Sequence, residues 1–324
     1  MNRHTRLIAQ TNAFSQLQND CKEKLLKHAY VFESADFAAL ETLAALFICV
    51  AEEGEVRELT LKRIFDGGYT DVVRMPRAHK NGKMDVEEAG YITDTAYYTP
   101  TELQTKYYIV AATEPLTPAV QNKLLKTLEE PPASARFIIF SSGNDLLPTV
   151  SSRCGKVRLE EFSVETIERA LQEEGYDEVT ALFAAAAARG NIGTAEAIAA
   201  DKGYRAAYEA AVNFLLHVKR SPQILPSAGE MLANKENFGA VLDYFELLLR
   251  DCMAYSACGA QAVVLKPALG DIRTLSAEFT PDVCLELMPR IARARDRIRL
   301  YGNAASYIDE LLFSVLEVKA KCLK

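Results

Sequence analysis

The sequence predicts an α/β protein in its first half and an all-helical one in its second. Three observations carry this. Up to about residue 160, short apolar runs alternate with amphipathic stretches, the pattern of an open parallel sheet with helices on both faces. From Ser163 onward the strand-like runs stop, and Ala-, Leu- and Glu-rich segments of helical periodicity continue through the rest of the sequence. The length, 324 residues, exceeds one compact core, so two or three units are expected.

Strands are expected at Ala29–Glu33, Asp71–Met75, Tyr107–Ala111, Arg136–Ser141 and Lys156–Leu159. Between the third and fourth lies the clearest helix. Thr117 can cap it, Pro118 suits the first helical position, and Val120, Leu124, Leu125 and Leu128 share one apolar face. Pro131 and Pro132 end it, because the residue before a proline avoids the α region. In the helical half, interruptions at Gly190–Gly193, Ser221–Ser227 and Lys266–Asp271 punctuate the pattern. The expected division is an α/β domain over 1–162, a small helical domain over 163–204 and a larger helical domain over 205–324.

Composition removes several classes of function. Residues are 49% hydrophobic and 25% charged, as in ordinary globular proteins, which excludes a disordered or fibrous chain. No stretch approaches the ~20 apolar residues of a membrane span, and Met1 to Gln18 holds no apolar core of a secretion signal, so a cytoplasmic location is expected. Seven cysteines, odd in number and never spaced C-x-x-C, signal neither a disulfide framework nor a zinc site. The 37 Lys and Arg against 44 Asp and Glu leave a formal charge of −7, which argues against strong binding to nucleic acid by this chain alone.

One segment is far more specific. Leu116-Thr-Pro-Ala-Val-Gln-Asn-Lys-Leu-Leu-Lys-Thr-Leu-Glu-Glu-Pro-Pro132 is followed by Phe137-Ile-Ile-Phe140 and then by Leu147-Pro-Thr-Val-Ser-Ser-Arg-Cys154. This resembles the signature of bacterial DNA polymerase III clamp-loader subunits of the AAA+ class. His28–Phe32 is similar to the family's first core strand, Asp71–Pro76 to its second, and Asn303–Phe313 to the last helix of its C-terminal collar. The resemblance implies an AAA+-like, P-loop-type α/β module over 1–162, a helical lid over 163–204 and a helical collar that mediates oligomerisation over 205–324.

It also implies what an ATP-hydrolysing member would carry, and this sequence departs from that at three places. A Gly-rich loop ending in Gly-Lys-Ser/Thr should follow the first strand, yet the chain reads Glu33-Ser34-Ala35-Asp36, with no Gly or Lys and with acids where phosphate charge would sit. On the residues alone this is an ordinary strand-to-helix turn with Ser34 or Asp36 as cap. The Asp-Glu pair that would hold Mg²⁺ and polarise water aligns with Ala111 and Ala112, and Glu114, two residues on, reads as a solvated loop residue. The lid arginine of active members aligns with Gly193. No nucleotide cofactor and no metal are therefore expected, and no four-Cys zinc module fits between Cys49 and Tyr69.

Ser151-Ser152-Arg153-Cys154 is intact. By resemblance Arg153 is an arginine finger, reaching the γ-phosphate of ATP held by a neighbouring subunit; the alternative is a local ion pair at the end of the sheet. Cys154 reads as a small buried filler. Arg290, Arg293, Arg295, Arg297 and Arg299 form a second conspicuous group, of which the last four advance by about 200° each and fan around a helix, as expected of a solvated helix pairing with acidic neighbours, with contact to DNA or another acidic partner as the alternative. His28, His79 and His217 are isolated and read as structural. The resemblance implies a subunit without its own catalysis, assembled as a hetero-pentamer with motor subunits and a delta subunit. Through them it would meet the sliding clamp and primer-template DNA. An active motor ATPase and a scaffold outside replication are the alternatives.

Overall fold

The structure is a computed structural model. It describes the chain apart from residues 2, 78–81, 144, 218–220, 225, 227–228, 230–237, 302–303 and 323–324, and apart from the side chains of 202, 204–205, 221, 238, 240, 298–301, 304–306 and 322. His79 and Asn303 lie outside the described residues. Contacts divide the chain into two compact units, Met1–Ser163 with Asn191–Thr194, and Val164–Gly190 with Ala195–Lys324.

The first unit is built on five parallel strands, β1 (Ala29–Glu33), β2 (Val72–Met75), β3 (Lys106–Val110), β4 (Ala135–Ser141) and β5 (Gly155–Arg158), in the order β2-β3-β4-β1-β5. Each lies within a residue of its expected place. β1 runs between β4 and β5, with Phe32 beside Phe140 on one side and Val157 on the other. Strands covered on both faces are apolar throughout, and the pleat sends alternate residues to opposite layers. Tyr30 and Phe32 meet Phe47 of the helix after β1, with Tyr30 and Phe47 ring centroids 5.3 Å apart. Ala29 and Val31 join the opposite core with Tyr108, Val110, Phe137 and Ile139.

Helices α1 (Arg3–Ala9) and α2 (Asn12–Lys22) precede β1, and α3 (Phe37–Glu53) follows it. α3 is apolar almost all round, as a central helix must be, and its residues from Ala39 to Val50 are buried except Glu41. Gly54, in the left-handed region at φ 77°, ends it. α4 (Glu58–Phe65) lies between Cys49 and Tyr69, α5 (Val86–Thr95) precedes β3, and α6 (Pro118–Glu129) precedes β4. α6 starts as the sequence predicts, with Thr117 Oγ1 accepting from Val120 N at 3.4 Å and Pro118 at the first position. The short α7 (Pro148–Ser151) leads into β5.

All described secondary structure beyond β5 is helical. It comprises α8 (Val164–Glu173), α9 (Glu178–Ala187), α10 (Ile192–Ala200), α11 (Lys202–His217), α12 (Phe238–Cys258), α13 (Leu269–Leu275), α14 (Pro281–Tyr301), α15 (Ala304–Cys322) and short 3-10 turns. The interruption expected at Lys266–Asp271 is itself helical, a 3-10 turn running into α13. α11 to α15 share one apolar core around Phe214, Phe245, Leu248, Phe279 and Leu287. Within it the buried Asp251 accepts from Val264 N at 3.1 Å and Leu265 N at 2.7 Å, fixing the turn between α12 and α13. No described helix is long and apolar enough to cross a membrane.

Candidate nucleotide crevice and arginine site

In an open parallel sheet the ligand crevice lies beyond the carboxyl ends of the strands, where helix N-termini supply N–H groups and positive dipole charge. Here only Ser34, Ala35 and Asp36 separate β1 from α3. Ser34 N donates to the Ser141 carbonyl at 3.0 Å, holding the turn to the end of β4. Ser34 Oγ accepts from Asp36 N at 3.1 Å. Asp36 is the cap: Oδ1 accepts from Ala39 N at 3.0 Å and Oδ2 from Gly193 N at 2.9 Å. Asp36 as a whole is only 6% exposed, so an acid belonging to the protein itself sits at the start of α3.

Gly193 belongs to this arrangement for a steric reason. A Cβ there would stand 2.6 Å from Ala38 Cβ and 2.8 Å from Asp36 Oδ1, so any side chain would displace the turn. Asp36 and Gly193, two departures at distant points of the sequence, are thus one hydrogen-bonded structure. Ala111 and Ala112 follow β3 directly, with Ala111 N donating to the Met75 carbonyl at 2.7 Å and Ala112 buried. Thr113 N and Glu114 N both turn to the Gly82 carbonyl, and Glu114 is exposed. Glu33 lies 3.9 Å from Lys156 Nζ.

Arg153 stands on a separate support. Arg153 N donates to the Val150 carbonyl at 3.1 Å, and the guanidinium Nη1 donates to the Thr149 carbonyl at 2.7 Å. Nη2 pairs with Glu129 Oε1 at 2.6 Å, across from the last residue of α6. The local ion pair weighed from the sequence is therefore present. Ser151 is half-buried, Ser152 is exposed with Oγ donating to the Thr149 carbonyl at 3.3 Å, and burial pushes the Cys154 thiol up to about 11, against the pull of Lys27. At neutral pH Cys154 is a protonated thiol.

Two supporting residues were not singled out from the sequence. The buried Gln121 donates to the Leu116 and Asp145 carbonyls at 2.8 and 3.2 Å and accepts from Leu147 N at 2.6 Å, fastening α6 to the segment that leads into Arg153. Glu129 is the other, and its position was a usable signal: acids at a helix C-terminus oppose the dipole and call for a cationic partner. The arginines of α14 are engaged separately: Arg290 pairs with Glu286 at 2.7 Å, Arg295 with Asp243 at 2.7 Å and Arg297 with Glu310 at 2.9 Å, while Arg293 Nε donates to the Pro289 carbonyl at 3.3 Å.

The chain is thus an α/β protein built on an open five-stranded parallel sheet, with an all-helical second half among the described residues. Residues 9–163 match the family model described as "DNA polymerase III, delta subunit". Over 96% of its length the chain is 24% identical to DNA polymerase III subunit tau of Bacillus subtilis, and over 46% it is 28% identical to subunit tau/gamma of Haemophilus influenzae. It spans 61% of the first protein and 22% of the second. A gamma subunit-related protein of Thermotoga maritima superposes with a TM-score of 0.46 at 16% identity, covering 95% of this chain and all of that one. Residues 9–163 are thus similar to the DNA polymerase III delta-subunit family, and the chain as a whole is similar to tau- and gamma-type subunits.

Proposed function

We propose that this chain is the non-hydrolysing, delta-prime-type subunit of a DNA polymerase III clamp loader. The observation that carries the reading is the Asp36 carboxylate. Bound by Ala39 N and Gly193 N, it fills the position at the start of α3 where a nucleotide phosphate would need the same N–H groups, and it would repel that phosphate. Ala111 and Ala112 offer no side-chain carboxylate for Mg²⁺ at the end of β3. These features support a chain that neither binds nor hydrolyses ATP.

In this reading the parts 1–162, 163–204 and 205–324 act as AAA+-like module, lid and collar. The collar joins the chain to ATPase motor subunits and a delta subunit in a cytoplasmic hetero-pentamer that loads the sliding clamp onto primed DNA. The first module is a rigid stator. Its Arg153 faces the motor subunit's ATP, where the planar guanidinium stabilises charge in the transition state. Support for that role comes from the complete Ser-Ser-Arg-Cys motif and from the 36% exposure of the Arg153 side chain. Co-assembly with motor and delta subunits, followed by the ATPase rate of a complex carrying Arg153→Ala, tests the reading.

A further inference from the structure

α6 ends on Glu129, with Glu130 as its cap, so two acids stand where helix carbonyls already concentrate negative charge. Glu129 resolves this by pairing with Arg153 Nη2 at 2.6 Å, while Nη1 is bound to the Thr149 carbonyl at 2.7 Å. Both terminal nitrogens of the guanidinium are thereby engaged inside the chain. Recognition of a phosphate calls for two N–H groups presented as a fork. Glu129 competes for one of those nitrogens, and its charge opposes an arriving anion.

We propose that Glu129 is a positioning residue for Arg153. It holds the guanidinium on its own chain and gives it up when a phosphate of a neighbouring subunit's nucleotide displaces the carboxylate. The proposal rests on the role of Arg153 in trans given above. Its strength follows from exposure: with the two side chains 36% and 47% exposed, the pair favours the held position by about 1.4- to 5-fold. That is enough to set where Arg153 rests and too little to withstand a doubly charged phosphate.

The experiment uses the reconstituted complex in which only the motor site bordering this chain retains hydrolysis, so that the finger's site is read without dilution. Glu129→Gln keeps size and hydrogen-bonding capacity and removes the charge. At low salt it should raise the ATPase rate at saturating MgATP by about 1.4- to 5-fold. The gain should narrow as salt increases, because screening loosens the wild-type pair as well. Glu129→Asp should stay nearer wild type, and Glu129→Gln combined with Arg153→Ala should match Arg153→Ala alone. A Glu129→Gln rate at or below wild type, with Arg153→Ala strongly impaired, would overturn the positioning role and leave the finger standing. Arg153→Ala at the wild-type rate would overturn the finger and this proposal together.

Discussion

Gly193→Ala separates the structural account of the closed crevice from ordinary helix propensity, because the two predict opposite signs. Gly193 is the second residue of α10 and its φ is not positive, so alanine fits the backbone and propensity alone predicts a gain of up to ~1 kcal/mol. The surroundings predict a loss. The new Cβ would lie 2.6 Å from Ala38 Cβ and 2.8 Å from Asp36 Oδ1, against ordinary carbon contacts of about 3.5–4.0 Å, so the turn has to shift by roughly 1 Å. Overpacking of this kind costs about 1–3 kcal/mol. The shift also lengthens the 2.9 Å bond from Gly193 N to the carboxylate of the buried Asp36, and weakening a charged bond adds to the cost. The net expectation is a loss of about 1–3 kcal/mol. With urea m-values of about 1–3 kcal/mol/M, that moves the unfolding midpoint down by roughly 1 M. Urea unfolding followed by circular dichroism and tyrosine fluorescence reads it, the chain having no tryptophan. An unchanged or raised midpoint would refute the packing of Gly193 on Asp36.

The remaining predictions concern one carboxylate and one absent ligand. Asp71 accepts from the backbone N–H groups of Thr101, Glu102 and Leu103, at 2.9, 2.6 and 3.0 Å; burial works against its charge, but these bonds outweigh that and hold its carboxyl below the usual range. Its contribution is complete above the unfolded carboxyl pKa of about 4 and fades as pH falls through the lower folded value. Asp71→Asn should therefore cost about 1.5–3 kcal/mol at pH 7, shrinking in denaturation curves taken below pH 4; a cost independent of pH would contradict the assignment. Calorimetric titration of the isolated protein with MgATP should give no measurable heat of binding at micromolar concentrations, and a micromolar dissociation constant would contradict the closed crevice.

What could be read in the sequence depended on how locally each feature is encoded. β1, β3 and β4 were legible because burial on both faces turns a strand into a continuous apolar run, and α6 because Thr117, Pro118 and Pro131 mark its limits within a few residues. The loss of a Gly-rich loop at Glu33–Asp36 and of acids at Ala111-Ala112 was legible by resemblance. That Asp36 and Gly193 form one structure was not, since their bond joins residues 157 apart and no pattern in either segment encodes the other. Arg153 was visible as a motif, whereas its partner Glu129 lay in the same signature and was not singled out, since the pairing depends on how α6 packs beside the Arg153 turn. The arginines of α14 were recognised as a fan, and their partners Asp243, Glu246 and Glu310 depend on the packing of α12, α14 and α15.

The central claim is that this chain brings an arginine and no ATP of its own to a clamp-loader ring, and Arg153→Ala in the reconstituted complex tests it most directly. The substitution should leave folding and assembly near wild type, because an exposed ion pair contributes little to either. Fingers acting in trans contribute about a thousandfold or more at their own site, but in the proposed ring one of several motor sites would border this chain, so the bulk DNA- and clamp-stimulated ATPase should fall by a fraction while clamp loading falls more steeply. Arg153→Lys should restore little, since an ammonium does not present the planar fork. An assembled Arg153→Ala complex that hydrolyses ATP and loads the clamp at wild-type rates would contradict the account.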